Sequence, residues 1–379
     1  MIKRLLSWIY GLLVMLRNML YDEHLLYAYT PKLPTIAVGN LAVGGTGKTP
    51  HVEYLTRLLL KAGYKVAILS RGYKRKTKGF ILADEHATAA SIGDEPRQMQ
   101  RKFPEAKVVV AEKRAAAIRR LTRQLPDLDV IIIDDAFQHR KVKCGLQILL
   151  TPADNLYVND HLLPYGRLRE HAYGAHRADI VVVTKCPPTM QPIDRRIITS
   201  SLHCATFQDL VFSSVRYMEP KPVFDEAAPL AADSSALNNA PLAADSSALN
   251  NAQRAVFPTG APILLLAGIA APKYFREYAG DRVEAEMIFP DHHAYSRKDI
   301  QRIQAEMSRL HEEAVILTTE KDAVRLRDAG IVPETMRARM WYLPIEVDFS
   351  QDTNTFDSRV LRYVSEHSRI SKGGFANSL

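Results

Sequence analysis

The run VGGTGKTP, residues 43–50, follows the apolar run TIAVGN (35–40) and precedes the helix-forming EYLTRLLLKAG. A strand, a glycine-rich loop and a helix in that order constrain the fold more than any other feature of the chain. Glycines let backbone N–H groups turn inward toward phosphate oxygens, and the helix N-terminus adds its dipole. The pattern G-x-x-x-x-G-K-[ST] is met at Gly47, Lys48 and Thr49, with Ala42 at the first glycine position. Val43, Gly44, Gly45, Thr46, Gly47, Lys48, Thr49 and Pro50 therefore form the expected nucleotide cradle. Lys48 is expected at the β- and γ-phosphates and Thr49 at Mg²⁺, so ATP and Mg²⁺ are the expected cofactors.

Further apolar runs are YKVAILSRG (64–72), KVVVAE (107–112), DVIIIDDA (129–136), LQILLT (146–151) and DIVVVTK (179–185). Helix-like segments lie between several of them, which predicts an α/β fold: a parallel sheet of the P-loop NTPase type with helices on both faces. The spacing divides the chain into a helix over 1–22, a P-loop domain over 23–205, a strand plus insert over 206–261, and a smaller α/β domain over 262–379. Within the insert, APLAADSSALNN occurs twice in tandem, at 228–239 and 240–251. Such a composition buries little and reads as a loop. VFSSVRY and MWYLPIEVDF flank the second domain and are expected to pair as a two-stranded hinge, with the C-terminal helix counted in the smaller domain.

The chain has 379 residues, a net charge of +8 and three cysteines without a CxxC. That excludes a disulfide framework and a zinc ribbon and suits an anionic partner. The opening MIKRLLSWIYGLLVMLRNML places Lys3 and Arg4 before the apolar run Leu5–Leu16 and Arg17 after it. Twelve helical residues span about 18 Å, short of a hydrocarbon core of roughly 30 Å. Aromatic residues and flanking cations favour a helix lying in a membrane interface, the alternative being a helix packed on the protein's own core.

Carboxylates cluster where a P-loop enzyme uses them. DVIIIDDAFQH ends a buried strand in Asp134 and Asp135, at the sheet edge beside the phosphate loop, where one carboxylate can hold the metal. SIGDEPRQM supplies Asp94 and Glu95, and LLPYGRLREHAYG supplies Arg167, Arg169 and Glu170. FPDHHAYSRKD (289–299) carries His292 and His293 without a complementary set of metal ligands. A GTPase switch is disfavoured because Thr184-Lys185-Cys186-Pro187 has proline where guanine reading needs aspartate. A partition-type ATPase is disfavoured because Val43 stands where its signature lysine belongs.

A kinase remains, and here the chain resembles the tetraacyldisaccharide 4'-kinase (lipid A 4'-kinase) family. The resemblance runs in order through VGNLAVGGTGKTP, LSRGY, GDEP, VVVAEKR, DDAFQHR, LLPYGRLRE, VVVTK, FPDHH and TTEKDAV, with Ala136 where the family has glycine. It implies phosphoryl transfer from Mg-ATP to the 4'-hydroxyl of a lipid A disaccharide 1-phosphate at the cytoplasmic leaflet of the inner membrane. No nucleic acid and no obligate protein partner is expected. By the same resemblance Asp94 is the acceptor's base and His292 its partner, with His293 the competing choice. Lys48 and Arg169 neutralise the transferred group. Thr49, Asp134, Asp135 and Glu170 surround the metal, with Glu95 and His139 behind them.

Overall fold

The structure is a computed structural model describing residues 1–224, 257–269 and 272–373; the duplicated segment 228–251 lies outside the described residues. The chain forms two compact units. One comprises Met1–Arg216 with Glu346–Leu379, and the other comprises Tyr217–Ile345.

The first unit is built on β1 (Thr35–Asn40), β2 (Val66–Ser70), β3 (Ile81–Leu82), β4 (Lys107–Val110), β5 (Val130–Asp134), β6 (Leu146–Pro152), β7 (Ile180–Thr184) and β8 (Asp209–Phe212). Their order in the sheet is β3-β4-β2-β5-β1-β6-β7-β8, with β3 alone antiparallel to its neighbour. The near-continuous Val, Ile and Leu of these runs is what burial on both faces requires. β1 lies between β5 and β6, with Ile36 opposite Ile132 on one side and Leu146 on the other. The chain leaves β1 toward β2 on one side and later returns to β6 on the other. Ligands bind at such a switch point, beyond the carboxyl ends of the strands.

Helix α1 (Ile2–Asp22) precedes the sheet, and α2 (Lys48–Lys61) follows the phosphate loop. Next come α3 (Ala89–Ile92), α4 (Asp94–Lys102), α5 (Arg114–Gln124) and α6 (Pro192–Leu202). α1 meets the domain through its small and polar residues. Ser7 Oγ donates to the Leu162 carbonyl at 2.8 Å, and Tyr10 donates to the Arg169 carbonyl at 2.7 Å. Gly11 permits the approach, since a Cβ there would stand 2.6 Å from Leu162. The apolar residues Leu5, Trp8, Leu12, Leu13, Leu16 and Met19 face outward and are exposed. No described helix is long and apolar enough to cross a membrane.

The second unit carries β10 (Lys221–Pro222), β11 (Ile263–Ala267), β12 (Val283–Ile288), β13 (Val315–Thr319) and β14 (Met340–Leu343), ordered β10-β14-β13-β11-β12. Its helices are α7 (Lys273–Ala279), α8 (Arg297–Met307), α9 (Glu320–Ala329) and α10 (Glu334–Arg337). β9 (Ser214–Tyr217) pairs with β15 (Ile345–Asp348) as the two-stranded hinge joining the units.

Two sequence expectations are revised. The segment around VFSSVRY divides: β8 extends the first sheet past residue 205, and only β9 enters the hinge. The C-terminal helix α11 (Thr353–Gly373) belongs to the first unit and not to the smaller domain. It buries Phe356, Val360, Tyr363 and Val364 in the core that contains Ile36 and Leu55. The Tyr363 hydroxyl also accepts from the Thr35 amide at 3.0 Å, fixing the start of β1.

His51, one turn into α2, ties the loop to this core. Its Nδ1 lies 2.7 Å from the Gly47 carbonyl and its Nε2 lies 3.0 Å from Ser213 Oγ. A carbonyl only accepts, so Nδ1 carries the proton and Nε2 accepts from Ser213. Burial lowers its pKa from 6.5 to about 4, against the Gly47 hydrogen bond that acts in the other direction. Between those values the unfolded chain binds a proton that the folded one refuses, so stability falls as pH drops from 6.5 toward 4. The loss expected is about 3 kcal/mol. Denaturant unfolding across that window should show a flatter pH dependence for His51→Gln; an unchanged slope would refute the assignment.

Candidate active site

The phosphate loop sits between β1 and α2. Gly47 adopts a left-handed φ of 88° and Gly44 a φ of 114°, both conformations that favour glycine. Space beyond Gly44 and Gly45 is open, since an added Cβ would meet nothing within 4 Å. The segment from Asp160 to Glu170 runs alongside the loop. The Val43 amide donates to the Arg167 carbonyl at 2.8 Å and the Arg169 amide to the Leu41 carbonyl at 2.7 Å. Ala42, at the first glycine position of the motif, bridges Leu168 in this pairing.

At the mouth of the loop two cations share one carboxylate and one amide. Lys48 Nζ lies 3.5 Å from Asp135 Oδ1 and donates to Asn40 Oδ1 at 3.3 Å. Arg169 holds Asp135 with both arms, Nη2 to Oδ1 at 2.8 Å and Nη1 to Oδ2 at 3.2 Å, and also donates to Asn40 Oδ1. Burial pushes the Asp135 carboxyl upward, but Arg169 and Lys48 outweigh it and hold the pKa at about 2. Asp135 thus remains an anion engaged by both cations. Its backbone is left-handed, with φ 48°. Ala136 does not adopt a left-handed φ, so a side chain is tolerated there in place of the family's glycine.

Asp134 differs from its neighbour. It is buried and accepts from Ser70 Oγ at 3.2 Å, while its Oδ1 finds no hydrogen-bond partner among the described residues. Burial raises its pKa, reinforced by Glu95 and Asp135 and opposed by Lys48. An unsatisfied buried carboxylate oxygen beside the phosphate loop fits a cation. Among the described residues no group of three or more His, Cys, Asp or Glu is poised to hold a metal. Mg²⁺ needs no such cage, because it binds through one or two carboxylates, water and the nucleotide's phosphates.

Asp94 is the first residue of α4, and it is buried. Gly93, with φ 95°, packs on Gly72 at the end of β2 so closely that a Cβ would lie 3.2 Å from the Gly72 Cα. α4 is locked to α2 by Glu53, which is 2% exposed. Gln98 Nε2 and Lys102 Nζ each donate to it at 2.7 Å. His139, in the turn after Asp135, has its pKa lowered to about 4 by burial and by Arg114, Lys141 and Arg71. Its Nε2 has no hydrogen-bond partner among the described residues.

Glu170 follows Arg169 in the chain. It is fully buried, and its oxygens receive Arg177, Gln138 and Asn18 at 2.8–2.9 Å. Those donors make it an anchor for the Arg169 backbone and for α1.

The second unit separates its two histidines. His293 stacks on Phe289 at 4.6 Å and contacts Asp299 Oδ2 at 3.1 Å, beside the Ser296 cap of α8. His292 instead has a left-handed backbone, φ 61°, with Lys321 Nζ 3.3 Å from its Nε2 and Arg325 Nη2 3.3 Å from its Nδ1. Arg325 is held by Asp322, which is fully buried and also receives the Gly268 amide and the Thr319 hydroxyl.

Sequence reasoning missed Asn40, Glu53, Gln138, Arg177 and the Asp322–Arg325 pair. Two local signals were present: the polar Asn that closes an otherwise apolar β1, and the Thr-x-x-Asp helix cap at Thr319.

A family model described as tetraacyldisaccharide-1-P 4'-kinase matches residues 1–365. The chain is 45% identical over 365 residues to the tetraacyldisaccharide 4'-kinase of Parabacteroides distasonis, covering 94% of this chain and 93% of that one. It is 42% identical over 362 residues to the Flavobacterium johnsoniae protein of the same name, covering 95% of each. A crystal structure of LpxK from Aquifex aeolicus, described as an "apo" form in complex with ATP, superposes with a TM-score of 0.68 at 27% identity. The match covers 95% of this chain and 97% of that one.

The Glu170 anchor yields a prediction. Arg177→Met leaves a fully buried carboxylate without its cation, which costs about 3–5 kcal/mol. Adding Glu170→Gln should recover much of that loss in denaturant unfolding. No recovery would show that Arg177 stabilises through packing alone.

Proposed function

The chain belongs to the tetraacyldisaccharide-1-P 4'-kinase family, and from that premise we propose how its own residues divide the work. It is an ATP-dependent kinase that phosphorylates the 4'-hydroxyl of tetraacyldisaccharide 1-phosphate in lipid A biosynthesis. The observation that carries the residue assignment is the pairing of Lys48 and Arg169 on Asp135 at the mouth of the phosphate loop.

Phosphoryl transfer passes through a loose transition state, so the protein's task is positioning and charge neutralisation. The loop from Val43 to Pro50 receives the nucleotide phosphates. Lys48 and Arg169 neutralise the moving group, and Asp135 with Asn40 keeps both cations at the loop mouth. Thr49 and Asp134 are the residues suited to hold Mg²⁺, which supplies further charge neutralisation on the phosphates. Asp94 takes the proton of the 4'-hydroxyl, and His292 is its partner. Glu95 adds negative charge beside Asp134, and the neutral His139 stands behind Asp135 in the following turn.

The acceptor is a lipid, and the exposed apolar face of α1 supports a place for the enzyme on the cytoplasmic leaflet of the inner membrane. Removing residues 1–20 should release the protein from membranes more than it lowers turnover on micellar substrate. Unchanged membrane fractionation would refute the anchor.

The direct test is transfer of label from γ-labelled ATP to the disaccharide 1-phosphate in detergent micelles, read by thin-layer chromatography. Lys48→Ala should reduce transfer by about a hundredfold or more. Asp94→Ala and His292→Ala should each slow transfer while sparing ATP affinity. Their double variant should be little worse than the poorer single, because paired residues act as a unit. Strictly multiplicative losses would separate their roles, and a silent His292→Ala would remove it from the mechanism.

A further inference from the structure

Thr184 closes β7 in the run VVVTK, and Ser213 follows the last residue of β8. Val183 lies opposite Phe212 in the parallel pairing, which brings Thr184 and Ser213 together at the carboxyl edge of the sheet. Both are buried, as is His51 on α2, each at most 3% exposed. A buried hydroxyl or imidazole has to find a hydrogen-bond partner inside the protein. Here the partners belong to the phosphate loop. Thr184 Oγ1 donates to the Thr46 carbonyl at 2.9 Å. His51 Nδ1 donates to the Gly47 carbonyl at 2.7 Å, and Ser213 at its Nε2 holds the ring in that tautomer.

Successive carbonyls of the loop, those of Thr46 and Gly47, are thus held from behind by side chains of the core. A trans peptide is planar, with its N–H directed opposite to its C=O. Holding the Thr46 carbonyl therefore turns the Gly47 amide away from the core, and holding the Gly47 carbonyl does the same for Lys48. Gly47 caps α2, and the first amides of a helix have no acceptor within it. Gly47 is also left-handed, with φ 88°, and a glycine unheld at both flanking peptides could turn either of them over. A turned peptide would set a carbonyl oxygen against phosphate oxygens. Resting on the reading that this loop receives the phosphates of ATP, we propose that Thr184 and His51 are positioning residues for nucleotide binding. They act through the Thr46 and Gly47 carbonyls and keep the Gly47 and Lys48 amides presented before ATP arrives. Such preorganisation raises affinity by removing an ordering cost at binding. Ground and transition states share these contacts, so the effect falls on the Kd for ATP and not on turnover at saturation.

The test is equilibrium binding of labelled ATP to the full chain, paired with label transfer in micelles. Thr184→Val keeps the shape of the side chain and removes its hydroxyl, and His51→Leu removes both ring nitrogens. Each should raise the Kd for ATP roughly tenfold, the worth of one hydrogen bond, with turnover at saturating ATP within about twofold of wild type. Thr184→Ser keeps the hydroxyl, and His51→Asn carries an amide nitrogen at the place of Nδ1. Both should bind ATP as the wild type does. A variant that merely folds poorly loses turnover at an unchanged Kd, and that split overturns the inference. So does an unchanged Kd in Thr184→Val and His51→Leu, or failure of Thr184→Ser and His51→Asn to bind better than those two. Wild-type protein that binds ATP without transferring its label refutes the kinase reading alone, whereas absence of wild-type binding refutes both.

Discussion

The site depends on one electrostatic arrangement: two cations held at the mouth of the phosphate loop by a single carboxylate. Lys48 comes from the start of α2 and Arg169 from a loop more than a hundred residues later, and both close on Asp135. One anion against two cations leaves net positive charge at the loop mouth, which suits the triphosphate of the proposed function. Asn40 accepts from both cations without adding negative charge. With two carboxylates in that position the cations would be fully neutralised before nucleotide bound. Asp134 is kept out of that pairing by its direction into the interior, toward Ser70.

Around this centre, buried charges set the geometry and contribute little net stability, because their desolvation largely offsets their attraction. Glu53 joins α2 to α4 and so fixes the helix of Asp94 against the helix of Lys48. Glu170 gathers Arg177, Gln138 and Asn18, and the adjoining Arg169 inherits its position. In the second unit, Asp322 fixes Arg325 beside His292 by the same device. Each of these carboxylates is at most 2% exposed. Each would be costly to orphan, which gives these contacts their specificity.

The strands of the first sheet were legible because burial on both faces writes itself as uninterrupted Val, Ile and Leu. The phosphate loop was legible because its chemistry is local: glycines, lysine and threonine at fixed spacing. What stayed hidden was set by distance along the chain. The role of Glu53 needs Gln98 and Lys102, and that of Glu170 needs Asn18 and Gln138; no local pattern names such partners. Asp134 and Asp135 are adjacent and chemically identical, yet the left-handed backbone at Asp135 sends one carboxylate to the cations and leaves the other buried. The C-terminal helix was misassigned because its apolar stripe says that it packs, while only the core holding Phe356 and Tyr363 says where.

The apolar run of the first helix fits two opposed placements. Apolar residues on nearly every turn are compatible with a core helix and with an interfacial one, and periodicity alone does not decide. The structure gives the protein the helix's small and polar side, Ser7, Tyr10, Gly11 and Asn18, each bonded or packed against the 162–170 segment. Leu5, Leu12, Leu13, Leu16, Trp8 and Met19 are left outward. A helix that only completed a core would be turned the other way, since burying one such side chain contributes about 1.5–3 kcal/mol. A row of them left outward fits the membrane-interface role proposed for α1. The hydrogen bonds of the polar side then hold the helix to the domain without consuming the face that reaches outward.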